Sequence, residues 1–444
     1  MCKSPEIIIE KLRIETGSEK RAKMLVLNRS SADSTAKEKV TLPKAFAKID
    51  PSDLSRSLDD LIPSSVEEVI SKLVVYFGRA LSGVTVEYKY PWSEMRSLIQ
   101  LIDFPFRHIP EPIYEIAADW IDKVEDKTLY NFVIRSFKWT RDRLAGISKP
   151  TEPNSELGVF AALSMILRTR PLVLCPILPV LRQRYYHLER SPEMLQFTVW
   201  MMAQVAQVDY CSGLQSWASN LLPLVRDKLK DNPHSMDLIL QLIENVLSHP
   251  RAVDIILEDA EEDEEDERLF PIPSFEILLP LTFPASFESV NVTERFVAVY
   301  PLLKEVALAD EPDIEKMKEF TQCVFDLSLK FAEQGNPVLA NEATSIAIWC
   351  LTKNVNCCNH WVTVYMDTPK ASVALLKRLV EEWKDHSRTL SSSPSDTRIR
   401  ALCQRTNEAS LQEEPVLLFT KKLTSTAKRF QGDYPVGMAS SKVV

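Results

Sequence analysis

Soft metal ligands gather once in this chain, at Cys357-Cys358-Asn359-His360. A structural zinc site wants four such donors, as a rule in two spaced pairs. Cys323, Cys350 and Cys403 stand alone, so the cluster reads as small apolar thiols on a helix. No activated nucleophile is spelled out either: there is no Gly-x-Ser-x-Gly elbow, no His-Glu-x-x-His pair and no Gly-x-x-x-x-Gly-Lys loop. The histidines, His108, His187, His234, His249, His360 and His386, fall at breaks between apolar runs, where an imidazole caps a helix or faces water. Carboxylates are dense in one place: every residue from Glu258 to Glu267 is acidic except Ala260. Such a run repels itself into a solvated loop and cannot hold the fixed geometry of acid–base catalysis; its functional reading is a docking tract for a basic partner. Cations gather at Arg168, Arg170, Arg182, Arg184 and Arg190, with Tyr185 and Tyr186 beside them. Arginine meets phosphate and tyrosine stacks on bases; the competing reading is a set of helix-end charges. The candidate partner-binding residues are therefore Arg168, Arg170, Arg182, Arg184, Tyr185 and Tyr186. No catalytic, metal or cofactor residue, and no cofactor, is expected.

Composition narrows the elements that position these groups. Only 9 of 444 residues are glycine, well below the usual ~7%. Tight hairpins and phosphate-cradling loops depend on glycine, so β barrels, dinucleotide folds and P-loops are disfavoured together. Hydrophobic residues make up 45%, enough for a sizeable core. The acidic run carries nine negative charges, and without it the formal −9 becomes zero; the body has no basic field for nucleic acid. Eight scattered cysteines without framework spacing suit a reducing compartment. Met1 to Glu19 is too charged for a signal peptide. No window reaches the ~18 to 20 apolar residues of a membrane span, and Met194 to Val208, the nearest, reads as a buried helix.

The recurring device is a cap-type or acidic residue, then proline, then an apolar-striped run. It occurs at Asp50, Glu111, Ser191, Asn232, Glu311, Asn336 and Thr368. Side-chain oxygens at the first position take up free amides, and proline tolerates the first helical position. Asn336 to Leu351 and Thr368 to Trp383 read as a helical hairpin across a short polar break. Repetition without a strict period predicts an all-α chain, an armadillo/HEAT-like solenoid of degenerate helix pairs with units of ~40 residues. The expected organisation is a disordered basic arm over 1–44, a helical subdomain over 45–148, helical repeats over 157–257, an acidic loop over 258–268, further repeats over 269–390 and a loose tail over 391–444. Lys149 to Glu156 forms the connector between subdomains. Pro176 and Pro179 predict a short or kinked helix over Pro171 to Leu181.

Several stretches resemble the plant branch of the transmembrane protein 214 family. They include Ala47-Lys48-Ile49-Asp50-Pro51-Ser52-Asp53-Leu54, Tyr76-Phe77-Gly78-Arg79-Ala80 and His108-Ile109-Pro110-Glu111-Pro112. Pro273-Ser274-Phe275-Glu276-Ile277-Leu278, the run from Ala298 to Ala309, Gly335-Asn336-Pro337-Val338-Leu339-Ala340 and Glu381-Glu382-Trp383-Lys384-Asp385-His386-Ser387 complete the set, which spans Ala45 to Ser391. The resemblance implies an armadillo-like domain on the cytosolic face of the endoplasmic reticulum, tethered by spans near the C-terminus. It also implies a scaffold in stress-induced cell death, and it carries no catalytic or metal-binding residue. Pro415 to Val444 is polar, and Leu417-Leu418-Phe419 is too short to cross a bilayer. The expectation is thus a splice form without the anchor, cytoplasmic in that case, or a gene model that ends early. The expected function is non-enzymatic scaffolding of protein partners, with no small-molecule substrate. The alternative is an RNA-binding or trafficking adaptor using the Arg168–Arg190 region.

Overall fold

Proline-led, glycine-poor runs should give helices, and every regular element among the described residues is one. The computed structural model describes residues 40–58, 65–84, 95–147, 155–183, 192–227, 232–262, 268–285, 290–310, 313–365, 367–382 and 385–386. The chain divides into Met1–Thr41 and Leu42–Val444, and all the helices below belong to the second unit.

Helix α1 (Leu42–Phe46) lies partly within the segment expected to be a disordered arm over 1–44. Leu42, Ala45 and Phe46 are buried, and Phe46 meets Phe77 with ring centroids 6.3 Å apart. Three apolar residues in five carry too little periodicity to be read as a helix. Helix α2 (Pro51–Leu58) follows. Then α3 (Val66–Val69), a π-helical turn (Ile70–Val74) and α4 (Val75–Ala80) run on without interruption. Helix α5 (Leu98–Asp103) starts with a reciprocal Ser97–Gln100 capping box and ends at the proline-rich break, which holds a cis Phe104–Pro105 bond and a 3-10 turn (Phe106–His108).

Helices α6 (Glu111–Ile121), α7 (Asp126–Leu144) and α8 (Ser155–Thr169) come next. Arg143, in the last turn of α7, pairs with Glu156 in the first turn of α8, and both are buried. Pro176 keeps Pro171–Ile177 in a 3-10 helix before α9 (Leu178–Gln183), as the proline spacing predicts. Helix α10 (Pro192–Ala206) is the buried helix expected near Met194. Phe197, Val199, Trp200, Met201, Met202 and Ala203 are all fully buried.

Helix α8 packs against α10 and α4. Phe160 sits 6.0 Å from both Phe197 and Trp200 by ring centroid. A Cβ on Gly158 would lie 2.4 Å from the Val74 carbonyl oxygen and 2.8 Å from the Gly78 nitrogen. The glycine therefore lets α8 touch the α4 backbone. No single described helix is long and apolar enough to cross a membrane; Glu156–Thr169 and Pro171–Leu181 meet that test only as a pair bent by 101°.

Helix α11 (Tyr210–Ser216), a π-helical turn (Trp217–Leu221) and α12 (Leu222–Asp227) lead to α13 (Pro233–Val246). Asn232 caps α13 by accepting from the Ser235 amide at 3.1 Å. Helix α14 (Ala252–Glu262) carries the first half of the acidic run, so the loop expected over 258–268 is helical through residue 262. Its base is anchored by buried Ala252, Val253 and Ile256, and Arg251 draws in Glu258 at 3.2 Å. Helices α15 (Ile272–Thr282), α16 (Val290–Ala307) and α17 (Ile314–Glu333) follow.

Helix α18 (Pro337–Lys353) packs along α17. The polar break expected after it holds a further helix, α19 (Val355–Val364), before α20 (Pro369–Glu381). Asn354 starts α19, and Cys357, Cys358 and Trp361 fill the space between α17 and α18. Along the chain, α10 packs on α11 and α13, α11 on α14, α13 and α14 on α16, and α15 on α16 and α17.

Candidate functional site

Arg168, in the last turn of α8, spends its donors inside the protein. Its Nε donates to Gln204 Oε1 at 2.8 Å, and a terminal nitrogen reaches the Ile102 carbonyl at 3.3 Å. The guanidinium carbon lies 3.8 Å above the centre of the Phe106 ring, within cation–π range. Burial pushes its pKa down to about 10, against the pull of Tyr114 and Asp103. Arg170 donates to the Asp122 carbonyl at 3.3 Å and to Asp126 at 2.5 Å, tying the start of the 3-10 segment to the α6–α7 corner. Arg182 lies in α9; its side chain, and Arg184, Tyr185 and Tyr186, fall outside the described residues. The structure thus brings Arg168 and Arg170 to one end of α8 and gives both internal acceptors.

Beside Arg168, side chains of α10 hold the proline-rich break. Trp200 Nε1 donates to the Phe104 carbonyl at 2.6 Å, and Gln204 Nε2 to those of Leu101 and Ile102 at 3.3 and 3.1 Å. One helix face spaced by four residues thus donates to carbonyls at the end of α5 and in the break, that of Leu101 also accepting from the Phe104 amide at 3.3 Å.

The thiols of the Cys-Cys-Asn-His stretch are buried. Burial raises the Cys357 thiol to about 12, with neighbouring Cys358 adding to it, and raises Cys350 well above its ordinary value. Among the described residues no three or more His, Cys, Asp or Glu gather as a metal set. His360 sits within α19 rather than at a break, and its Nε2 lies 2.5 Å from Asp326 Oδ1.

That pair borders a concavity that sequence reading missed. Asp326, Leu329, Lys330 and Glu333 lie on one face of α17, at the i, i+3, i+4, i+7 spacing of adjacent helical turns, and meet Val364 and Asp367 across a groove of about 420 Å³. Leu329 is buried and Val364 half-buried, so the floor is apolar. Glu333 Oε2 accepts from the Ala371 amide at 2.8 Å, doing for α20 what Thr368 was expected to do; Thr368 makes no cap bond and turns its hydroxyl back to the Val364 carbonyl at 3.3 Å. Lys330 Nζ lies 2.6 Å from Glu276 of α15. The Asp367 carboxylate is exposed and has no partner among the described residues. The signal available in sequence was the polar face of α17, overshadowed by its apolar stripe.

No known family model matches the chain, and no curated protein does. Among solved structures, the crystal structure of an engineered protein aligns with 87% of this chain and 98% of its own at 12% identity, with a TM-score of 0.17. Similarity that weak carries no argument about fold or function.

Proposed function

We propose that this chain is a non-enzymatic helical scaffold that binds protein partners, its helices stacked as a degenerate solenoid of the armadillo or HEAT kind. The observation that carries the reading is packing largely in chain order: from α10 onward, most helix contacts are with helices one to three positions away, with α10 and α13 also resting on α5. Solenoids bury each unit against its neighbours in this way and bind along the surface that results. The groove beside α17 is one such surface. Resemblance to the transmembrane protein 214 family supports placing the scaffold at the cytosolic face of the endoplasmic reticulum, in stress-induced cell death. Subcellular fractionation with an antibody to the chain tests that location, and absence from microsomes would remove it.

Affinity capture from cytosol and from solubilised microsomes tests the scaffold, provided each recovered protein is then titrated against the purified chain. At least one should bind directly with a Kd at or below the micromolar range. Failure of every recovered protein to bind the purified chain would contradict the proposal.

A further inference from the structure

We infer that the groove between α17 and the α19–α20 corner receives a lysine- or arginine-bearing segment of a partner protein. This rests on the scaffold reading and names the chemistry of one of its sites. Three carboxylates line the groove, Asp326, Glu333 and Asp367, against the single ammonium of Lys330. That ammonium is itself 2.6 Å from Glu276, so it does not cancel them. The floor, Leu329 with Val364, is apolar. A long cationic side chain matches both features: its methylene stem lies on apolar surface while its charged head stays at the polar rim. Asp367, exposed and without a partner among the described residues, is the carboxylate best placed to meet that head. Glu333 is occupied by the Ala371 amide and Asp326 by His360, which makes them part of the frame. Phosphate-bearing ligands, nucleic acid included, would meet the same negative rim and be repelled. A bound metal ion fits poorly, since no three of these groups gather as ligands.

The test uses the full chain and two fluorescein-labelled twelve-residue peptides, one alternating leucine with lysine and one alternating leucine with glutamate. Fluorescence anisotropy should show binding of the lysine peptide and much weaker binding of the glutamate peptide. Asp367→Lys should weaken the lysine peptide about tenfold or more, with an unchanged thermal melt. Converting the acidic run from Glu258 to Glu267 to amides should leave its affinity within about twofold, because the described lining of the groove includes none of that run. Equal binding of both peptides, no binding of the lysine peptide, or wild-type affinity in Asp367→Lys would overturn the inference. A captured protein that binds Asp367→Lys as well as wild type would leave the scaffold standing and remove only the groove.

Discussion

Helix α8 is buried from Glu156 to Leu167 with Val159 alone half-buried, whereas α17 keeps Glu315, Glu319, Asp326 and Lys330 in water. Their contacts differ in kind. Helix α8 meets α4 backbone to backbone at Gly158 and α10 through tilted and edge-on aromatic rings. Helix α17 makes many of its polar contacts at its neighbours' ends: Asn354 Nδ2 donates to Thr321 Oγ1 at 2.9 Å, and Glu333 caps α20. A helix apolar all round is enclosed by the rest of the protein, while an amphipathic one has a face left for other uses. The first region is therefore frame and the second is surface, and substitutions should separate them.

The contrast breaks most severely at Trp200→Ala, which empties a fully buried site and removes the indole that donates to the Phe104 carbonyl. Urea denaturation should show a loss of about 3 to 5 kcal/mol. Next comes Gly158→Ala, whose new methyl would press on the Val74 carbonyl and the Gly78 backbone. Overpacking against backbone should cost about 2 to 3 kcal/mol, read by the same method; a neutral result would mean the helices do not cross this closely. On the surface side, Glu333→Ala should cost about 1 kcal/mol, the worth of a lost cap, and Thr368→Ala only a few tenths. If the order were reversed, α20 would be capped by its own Thr368 rather than by α17.

Alkaline pH gives a separate readout of burial. The folded pKa of Cys357 and that of Tyr76 are each raised to about 12, from ordinary values of 9.0 and 10.0. Burial is the first cause in both. Below about pH 9 folded and unfolded chains hold these protons alike. From there to about pH 12 the unfolded chain gives them up more readily, so stability falls as pH rises. The urea midpoint should decline between pH 9 and 12, and a midpoint that rose would contradict the burial of these groups. At pH 8, iodoacetamide should label exposed Cys323 in the folded chain, with Cys350, Cys357 and Cys358 reacting after unfolding.

The all-helical class was legible because glycine scarcity and proline-led starts act within one turn, and Asn232 and Asn336 cap as their spacing predicts. What escaped depends on neighbours distant in the chain. Thr368 carries a cap residue's chemistry, but the α20 amide goes to a glutamate from another helix. Cys357, Cys358 and Trp361 belong to a helix because α17 and α18 leave a gap for them, while the polar residues around them read as a break. The arginines signalled positive charge, yet Arg168 and Arg170 meet acceptors that only folding brings near. The groove stayed hidden for the same reason: Val364, Asp367 and Thr368, at the end of α19 and before α20, close it against α17.

Hydrogen–deuterium exchange on the full chain, with and without the lysine peptide, tests the division between frame and surface most directly. Amides of α8 and α10 should exchange slowest in both conditions, and the peptide should add protection around residues 326–334 and 364–371. Added protection confined to other segments, or α8 exchanging as fast as α20, would contradict it.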